Sequence, residues 1–298
     1  MILSAPLKGV LCVLGGGALL TCNDAVLKWL SGGYTVGQLM FVRGMFVMIL
    51  LLIFVWQMGG FKVLRVYSWK GHLLRSLLVV SGTYMFISGL KFLPLANATA
   101  ISFAGPLFVT AMAPSLLGER VGWRRWCAVL VGFCGVLVMV RPTGDVVQWA
   151  ALLPLAASFT GAVRDIITRK MAFREASIAV LFYTTLGVTV AGLCSLPIVG
   201  WEDVPMIDYG LFAMAGVLVG SGHFFLIEAL RHAEAAVVTP FKYSNIVTAM
   251  ILGLLIWGHV PDTWTLVGAS IVILSGLYIL RRETFRSQQK KQEGQQKA

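Results

Sequence analysis

Long apolar segments account for most of this chain. Of its 298 residues, 58% are hydrophobic and only 12% are charged, whereas soluble domains carry about 25% charged residues. A helix of about 20 apolar residues is long enough to cross the ~30 Å hydrocarbon core of a bilayer. The segments are too long and too continuously apolar for barrel strands, so the sequence predicts an all-α membrane protein with ten transmembrane helices. The ten segments are 8–29, 36–57, 73–91, 97–118, 125–140, 147–168, 177–198, 209–230, 236–257 and 264–281.

The two halves of the sequence resemble each other at a constant offset of 140 residues. Residues 78–91 read LVVSGTYMFISGLK, and residues 218–231 read LVGSGHFFLIEALR. Each copy holds an odd number of apolar segments, and duplicating an odd number of spans inverts the second copy in the membrane. The pattern predicts two inverted five-helix repeats, 1–140 and 141–282, around a central cavity, with a disordered basic cytoplasmic tail at 283–298. The aligned identities include Leu78/Leu218, Val79/Val219, Ser81/Ser221, Gly82/Gly222, Ile87/Ile227 and Leu90/Leu230.

The net charge of +11 is distributed as a membrane-topology signal. A basic chain can bind nucleic acid, but these lysines and arginines cluster in alternate connections between the apolar segments, so no nucleic-acid partner is expected. The positive-inside rule puts both termini in the cytoplasm, with contact to anionic lipids as a secondary effect. The residues that carry this pattern are Lys62, Arg65, Lys70, Arg75, Arg120, Arg124, Arg125, Arg169, Lys170, Arg174, Arg281, Arg282, Arg286, Lys290, Lys291 and Lys297.

The cysteine spacing points to no metal site. All five cysteines fall within apolar segments or at their ends, and they form no CxxC or Cys/His motif. Free, packed thiols are therefore expected. We predict neither a metal nor a cofactor for this chain.

Charged residues nevertheless occur inside the apolar segments, where each costs about 2.5–3.5 kcal/mol on insertion scales. They form two groups, one near each predicted face of the membrane. Both groups combine acids with bases, as the two gates of an alternating-access protein would. The alternative is that the arginines snorkel or pair to hold the helices together. The outer group is Asn23, Asp24, Lys28 and Arg43, and the inner group is Arg164, Asp165, Glu228 and Lys242.

Pro240 interrupts the ninth apolar segment beside several polar residues. Proline cannot donate a backbone hydrogen bond and therefore loosens a helix. The loosened sequence PFKYSN carries Lys242, Tyr243, Ser244 and Asn245, and the related segment of the first half is TAISFAGP. Because paired interrupted helices are the best sequence indication of a binding site, Lys242, Tyr243 and Asn245 are predicted to contact a ligand.

Two further positions each have two interpretations. His223 aligns with Thr83 and lies inside the eighth segment, where a histidine could relay protons or could be a buried, hydrogen-bonded side chain. Tyr183 aligns with Arg43 and follows Phe182. Its ring could stack on a flat ligand or contribute to a gate, and core packing is the alternative.

The chain resembles the EamA type of the drug/metabolite transporter superfamily over essentially its whole length. The resemblance rests on the two halves and on LPLANATAISFAGPLFVTAMAPSLLGERVGWRRWCAVLVGFCGVLVMVRP, with its small-residue start, mid-helix proline and Gly-Glu end. Arg43 in MFVRG and the pair Phe182-Tyr183 match positions in the family's second and seventh spans, whereas His259 stands where Glu119 stands in the first half. The resemblance implies a ten-helix basket with a central cavity that works by alternating access, often with proton coupling or exchange.

The resemblance favours a secondary transporter of a bacterial-type inner membrane. The strings NDAVLK, RDIITRK and PFKYSN are similar to a subgroup that includes S-adenosylmethionine carriers. The sequence contains no Walker motif for ATP, so a gradient or exchange would drive transport. Opposite charges in both groups suit a zwitterionic, amino-acid-like metabolite, including S-adenosylmethionine. Riboflavin, or another aromatic metabolite or a metallophore, is the alternative substrate.

Three other functional classes are an intramembrane aspartyl protease, a channel and a non-transporting scaffold. Asp24 and Asp165 lack the Gly-rich loop of such proteases and are predicted near opposite faces, so no enzyme activity is expected. A channel would conduct without saturation or counterflow, and a scaffold would do neither.

Overall fold

The protein is helical, without strands, over the residues that its computed structural model describes: 5–118, 122–140, 147–171, 174–233, 238–258, 263–264, 266–271, 273–275 and 278. Helices satisfy their own backbone N–H and C=O groups, which have no water to bond inside a bilayer. The predicted tail at 283–298 lies outside the described residues. The α-helices are α1 Ala5–Leu30, α2 Val36–Gln57, α3 Trp69–Leu90, α4 Leu95–Ser102, α5 Gly105–Leu117, α6 Trp123–Val140, α7 Val147–Met171, α8 Ser177–Cys194, α9 Leu196–Val199, α10 Met206–His232, α11 Asn245–Trp257 and α12 Leu266–Ser275; 3-10 helices occupy Gly60–Leu64 and Thr239–Ser244.

Within these described residues, seven helical segments are long and apolar enough to cross a membrane. Three shorter apolar helices, Trp126–Gly135, Asn245–Trp257 and Leu266–Ser275, fall within the remaining predicted spans. The predicted fold class is therefore confirmed, whereas the count of ten spanning helices stays a prediction. The seven long segments are Leu7–Leu30, Val36–Gln57, Trp69–Leu90, Leu95–Leu116, Trp149–Met171, Ser177–Val199 and Met206–His232.

Two of the predicted spans are interrupted at matching positions in the two halves. The segment predicted at 97–118 consists of α4 and α5, which meet at a turn over residues 103–104. The segment predicted at 236–257 contains the 3-10 helix Thr239–Ser244 and continues as α11. In both halves a short helix thus leads into a longer one, across a turn in the first half and at a change from 3-10 to α winding in the second half.

The helices reproduce the 140-residue offset of the sequence. Adding 140 to the bounds of α5 gives the bounds of α11. Each of these helices ends at a glycine in the left-handed conformation, Gly118 with φ 68° and Gly258 with φ 66°. A residue with a Cβ adopts that conformation only at a cost, and glycine commonly ends helices for this reason. The internal repeat is therefore a repeat of structure as well as of sequence.

Helix packing follows a two-fold pattern. α1 packs against α10, α3 against α7, and α2 against α8. At the 140-residue offset α1 corresponds to α7, α2 to α8 and α3 to α10. The correspondence therefore turns the α1–α10 pair into the α7–α3 pair, and it turns the α2–α8 pair into itself. A two-fold axis between two repeats produces this exchange, as the predicted two-repeat fold requires.

Two glycines face each other where α1 packs against α10. A Cβ on Gly16 would lie 2.9 Å from the Gly222 carbonyl oxygen, and a Cβ on Gly222 would lie 3.0 Å from the Gly16 carbonyl oxygen. Small residues allow membrane helices to pack at short range in this way. The close approach brings together two helices that both line the central cavity.

Candidate functional site

A cavity of about 290 Å³ lies between the helices of the two halves. Its walls come from α1 to α5 of the first half and from α7, α8, α10 and α11 of the second half, together with the 3-10 helix Thr239–Ser244. The volume is close to the lower limit of small-molecule pockets, about 300–1,000 Å³. Eight of the eleven predicted site residues line it: Asn23, Asp24, Arg43, Arg164, Asp165, His223, Lys242 and Asn245.

Asn23, Asp24 and Arg43 form one polar group on the cavity wall, here named the Asp24 group. The Arg43 guanidinium donates from Nη1 to Asn23 Oδ1 at 3.2 Å, and Asn23 Nδ2 donates to Asp24 Oδ1 at 3.1 Å. Arg43 and Asn23 are buried, with 5% and 2% of their surface exposed. The asparagine amide therefore connects the predicted acid and base, because it accepts from the arginine and donates to the carboxylate.

Lys28, predicted to belong with Asp24, makes different contacts. Its ammonium group donates to the carbonyl oxygens of Leu90 at 3.0 Å and Leu93 at 2.7 Å, and lies 5.8 Å from the centre of the Trp257 ring. Leu90 is the last residue of α3 and Leu93 lies just beyond it, where the last helical C=O groups have no partner within the helix. Lys28 thus holds the end of α3 against α1. Among the described residues, it is not part of the cavity wall.

Arg164, Asp165 and Lys242 form a second polar group, here named the Asp165 group. The Asp165 carboxylate accepts at Oδ1 from Arg164 Nε at 3.0 Å and Nη2 at 2.7 Å, and it accepts at Oδ2 from Lys242 Nζ. The carboxylate is buried and both of its oxygens are occupied by cations. Charge-assisted pairs of this kind are strong and directional. The pair with Lys242 ties the 3-10 helix before α11 to α7.

Glu228, predicted to belong to the inner group, pairs within its own helix. Its carboxylate lies 3.7 Å from Arg231 Nη1 and 3.4 Å from His232 Nε2. These partners are three and four residues away and share its helix face. Arg164, Asp165 and Lys242 therefore come together as predicted, and Glu228 stays with local partners.

Two residues that matter to this site were missed from the sequence. Arg75, counted there among the loop cations, is 2% exposed inside α3 and donates to the hydroxyls of Thr168 and Thr184. Its position within the predicted span 73–91 was the available signal. Thr99 lines the cavity, is 7% exposed, and its hydroxyl is one of the buried polar atoms without a hydrogen-bond partner in the described residues.

Asn245 also presents an unsatisfied polar atom. Its Oδ1 is buried and has no hydrogen-bond partner among the described residues, and the side chain lines the cavity beside Gly17 of α1. Buried polar atoms without partners are rare in folded proteins. The Asn245 and Thr99 side chains can therefore form hydrogen bonds with a polar ligand in the cavity.

Comparison with protein families decides the wider assignment. Residues 7–141 and residues 148–281 each match the model of the EamA-like transporter family. The chain belongs to the EamA-like transporter family. The two matched ranges correspond to the two halves of the internal repeat.

This EamA-like transporter is similar to named transporters along most of its length. The S-adenosylmethionine uptake transporter of Rickettsia conorii is 32% identical, over 88% of this chain and 89% of the relative. The riboflavin transporter of Rhizobium johnstonii is 28% identical, over 95% of this chain and 94% of the relative. A solved crystal structure with 18% sequence identity covers 92% of this chain and 98% of its own, with a TM-score of 0.72, which shows the fold. The protein is therefore a multi-pass membrane transporter, as the resemblance indicated.

The remaining predicted residues of this EamA-like transporter lie in different settings. Tyr183 donates from its hydroxyl to the Leu64 carbonyl oxygen at 3.1 Å, and its ring centre lies 4.9 Å from that of His72, so it contacts the connection between α2 and α3. His223 lines the cavity, with Nδ1 3.2 Å from the Val219 carbonyl oxygen. A carbonyl only accepts, so this contact places a proton on Nδ1. The Tyr243 side chain and the predicted difference between Glu119 and His259 lie outside the described residues.

The connection between α1 and α2 in this EamA-like transporter is joined to the start of α10. The Tyr34 hydroxyl donates to the Asp208 carboxylate, and Gln38 exchanges two hydrogen bonds with the backbone of Glu202. Burial, together with the hydrogen bond and negative charge of Asp208, raises the pKa of Tyr34 to about 12. Tyr34 is therefore a neutral donor at physiological pH, and these contacts hold the connection between α1 and α2 against the segment that leads into α10.

Proposed function

We propose that this EamA-like transporter is a secondary carrier of a small zwitterionic metabolite of the amino-acid class, with S-adenosylmethionine as the leading candidate. The observation that carries the proposal is the single cavity lined by the Asp24 group and the Asp165 group. Each group combines a carboxylate with at least one cation, which complements a substrate that has an amine and a carboxylate. The relatives named S-adenosylmethionine uptake transporters support this substrate class.

The proposed mechanism is alternating access between two repeats, 1–140 and 141–282. The cavity lies between the halves, and the interrupted helices α4/α5 and Thr239–Ser244/α11 both contribute to its wall. In transporters built from inverted repeats, rocking of one repeat against the other exposes a midplane site to each side in turn. The proposed setting is a bacterial-type inner membrane with both termini in the cytoplasm, and a proton gradient or substrate exchange as the driving force.

Riboflavin is the second candidate substrate. The rings of Phe86 and Phe103 line the cavity, and relatives at 28% identity are named riboflavin transporters. An isoalloxazine ring would depend on stacking against aromatic side chains more than on ion pairs. The aromatic residues of the cavity, and not Asp24 or Lys242, would then be the sensitive positions.

The test is uptake and counterflow in proteoliposomes with S-adenosylmethionine, several amino acids and riboflavin, each with and without a proton gradient. Asp24→Asn and Lys242→Ala remove one charge from each group, and Lys170→Ala is the matched control because Lys170 is exposed on α7. We expect saturable counterflow of a zwitterion, reduced at least about tenfold in both cavity variants and unchanged in the control, since a charged hydrogen bond contributes about 1.5–3 kcal/mol.

Each alternative result assigns the failure to a different part of the proposal. Counterflow that survives both cavity variants would keep the carrier but remove these residues from its site. Saturable riboflavin counterflow that is lost in Phe86→Ala would favour the second substrate. Flux without saturation would indicate a channel. Stimulation by a proton gradient that disappears in His223→Gln would assign proton coupling to that histidine.

A further inference from the structure

The Asp165 end of the cavity has more buried cations than anions. Arg164 and Lys242 both pair with the single carboxylate of Asp165. Arg75 lies directly behind them, because its Nε donates to the Thr168 hydroxyl at 2.8 Å and that hydroxyl donates to the Arg164 carbonyl oxygen at 2.7 Å. No ion pair joins Arg75 to a carboxylate in the described part of the chain. Three cations thus share one anion.

This excess of positive charge is unfavourable without a further anion. Arg75 and Asp165 are almost fully buried, and the side chains of Arg164 and Lys242 are only 20% and 22% exposed. Removing charges from water carries a large desolvation cost, which only a well-placed partner of opposite sign offsets. The Asp24 group, in contrast, links one arginine to one aspartate through Asn23, so it has no such excess of cations.

We propose that the Asp165 end is the carboxylate subsite of the cavity, and that the substrate carboxylate displaces Asp165 from Lys242. This inference rests on the carrier function proposed above and adds the orientation of the substrate, with its carboxylate at Lys242 and Arg164 and its amine at Asp24. Asp165 is then the counter-ion that pairs with Lys242 when no substrate is bound. It keeps its two hydrogen bonds from Arg164 during the exchange.

The exchange has a mechanical consequence. Lys242 belongs to the 3-10 helix Thr239–Ser244, and its pair with Asp165 is a contact that ties this segment to α7. Binding of a substrate carboxylate breaks this ion pair, so binding in the cavity changes how firmly the segment before α11 is held to α7. A ligand that changes which contact is made shifts the balance between conformations in this way.

Arg75 is a positioning residue in this arrangement. Its two described partners are hydroxyls on α7 and α8, and one of them, Thr184, lines the cavity. Through Thr168 it holds the backbone of Arg164, and its charge adds to the positive potential at the subsite. Its removal is therefore expected to weaken binding of a carboxylate selectively, with little effect on a ligand that lacks one.

The first experiment uses acetate as the probe, so that it does not depend on the natural substrate. Thermal unfolding of the purified full-length protein in detergent is followed while acetate replaces chloride at constant ionic strength, with acetamide as the uncharged comparison. We expect acetate to raise the unfolding midpoint of the wild type and acetamide to leave it unchanged. Lys242→Gln should abolish the acetate effect, and Lys170→Gln, the exposed control on α7, should retain it.

Asp165→Asn is the decisive variant because a purely structural ion pair and a displaceable counter-ion predict opposite results. Removal of the competitor should let acetate bind Lys242 about tenfold more tightly or more, the value of one charge-assisted hydrogen bond. Acetate affinity that falls or stays the same in a folded Asp165→Asn protein would overturn the proposal. Asp165→Glu keeps the competing charge and is the control, whose acetate affinity should match the wild type. If Asp165→Asn unfolds, the ratio of KM values in the second experiment decides.

The second experiment compares counterflow of S-adenosylmethionine with that of its decarboxylated analogue. The wild type should prefer the carboxylate form at least about tenfold. Lys242→Gln should bring the ratio close to one, and Arg75→Gln should lower it while the KM for the decarboxylated analogue is unchanged. A merely structural arginine would shift both KM values together.

The two experiments separate this inference from the proposed function. Stabilisation by acetate without counterflow of any zwitterion would support the carboxylate subsite and reject the proposed substrate class. Counterflow of both S-adenosylmethionine and its decarboxylated analogue with equal KM would support the carrier and reject the subsite.

Discussion

Replacement of Gly16 by alanine tests the close packing of α1 on α10. A methyl group there would lie 2.9 Å from the Gly222 carbonyl oxygen and 3.0 Å from Phe225 Cβ. Both atoms are fixed by the backbone of α10, so the helix itself would have to shift. Its neighbour Gly15 has nothing within 4 Å of an added Cβ, which makes Gly15→Ala the matched control on the same helix. Overpacking of a well-filled interface costs about 1–3 kcal/mol.

The two alanine variants are expected to differ in stability. Alanine is the better helix former by up to about 1 kcal/mol, so Gly15→Ala should be neutral or slightly stabilising. Gly16→Ala should lose about 1–3 kcal/mol because the clash exceeds that gain. Equilibrium unfolding of both variants and the wild type in the same detergent, followed by tryptophan fluorescence, measures the difference. Equal stability of the two variants, within about 0.5 kcal/mol, would refute the close-packing argument.

Three further predictions concern contacts outside the two polar groups. Lys28→Met should lower the free energy of unfolding by about 1–3 kcal/mol, because two carbonyls at the end of α3 lose a charged donor, while the ratio of substrate KM values in counterflow stays unchanged. Tyr34→Phe should cost about 0.5–1.5 kcal/mol in the same unfolding assay through loss of the hydrogen bond to Asp208, and a stability equal to wild type would show that the bond contributes nothing. Gly118→Ala and Gly258→Ala should each cost about 1 kcal/mol or more, since both glycines have positive φ; an unchanged unfolding midpoint in either variant would contradict the left-handed helix ends.

Several features of the site could be predicted from the sequence because they depend only on which residue type stands where along the chain. A charged residue inside an apolar segment is visible in the sequence, which is how five of the cavity residues were identified: Asp24, Arg43, Arg164, Asp165 and Lys242. The interruption near Lys242 was visible because proline breaks helical hydrogen bonding. Arg75 was missed because a cation close to the start of a span has the same sequence pattern whether it faces water or lies buried behind two threonines.

The choice among possible partners was not available from the sequence. Asp24 and Lys28 are four residues apart and were expected on one helix face, yet the lysine donates to carbonyls more than 60 residues away. Glu228 was grouped with Arg164 by depth, yet its partners lie in its own helix. Several bases are within reach of each acid in a packed bundle, and side-chain direction decides which pair forms.

The sequence by itself determined the membrane class, the helical fold and the internal repeat. These follow from the length of the apolar segments and from the need of every backbone polar group for a partner in the bilayer, both of which are local properties. The sequence grouped Asp165 with Lys242, 77 residues away, but tertiary structure alone decided that they pair without Glu228 and that Arg75 lies behind them. Such contacts depend on how the two halves pack, because only the packed helices bring side chains from distant segments into one cavity.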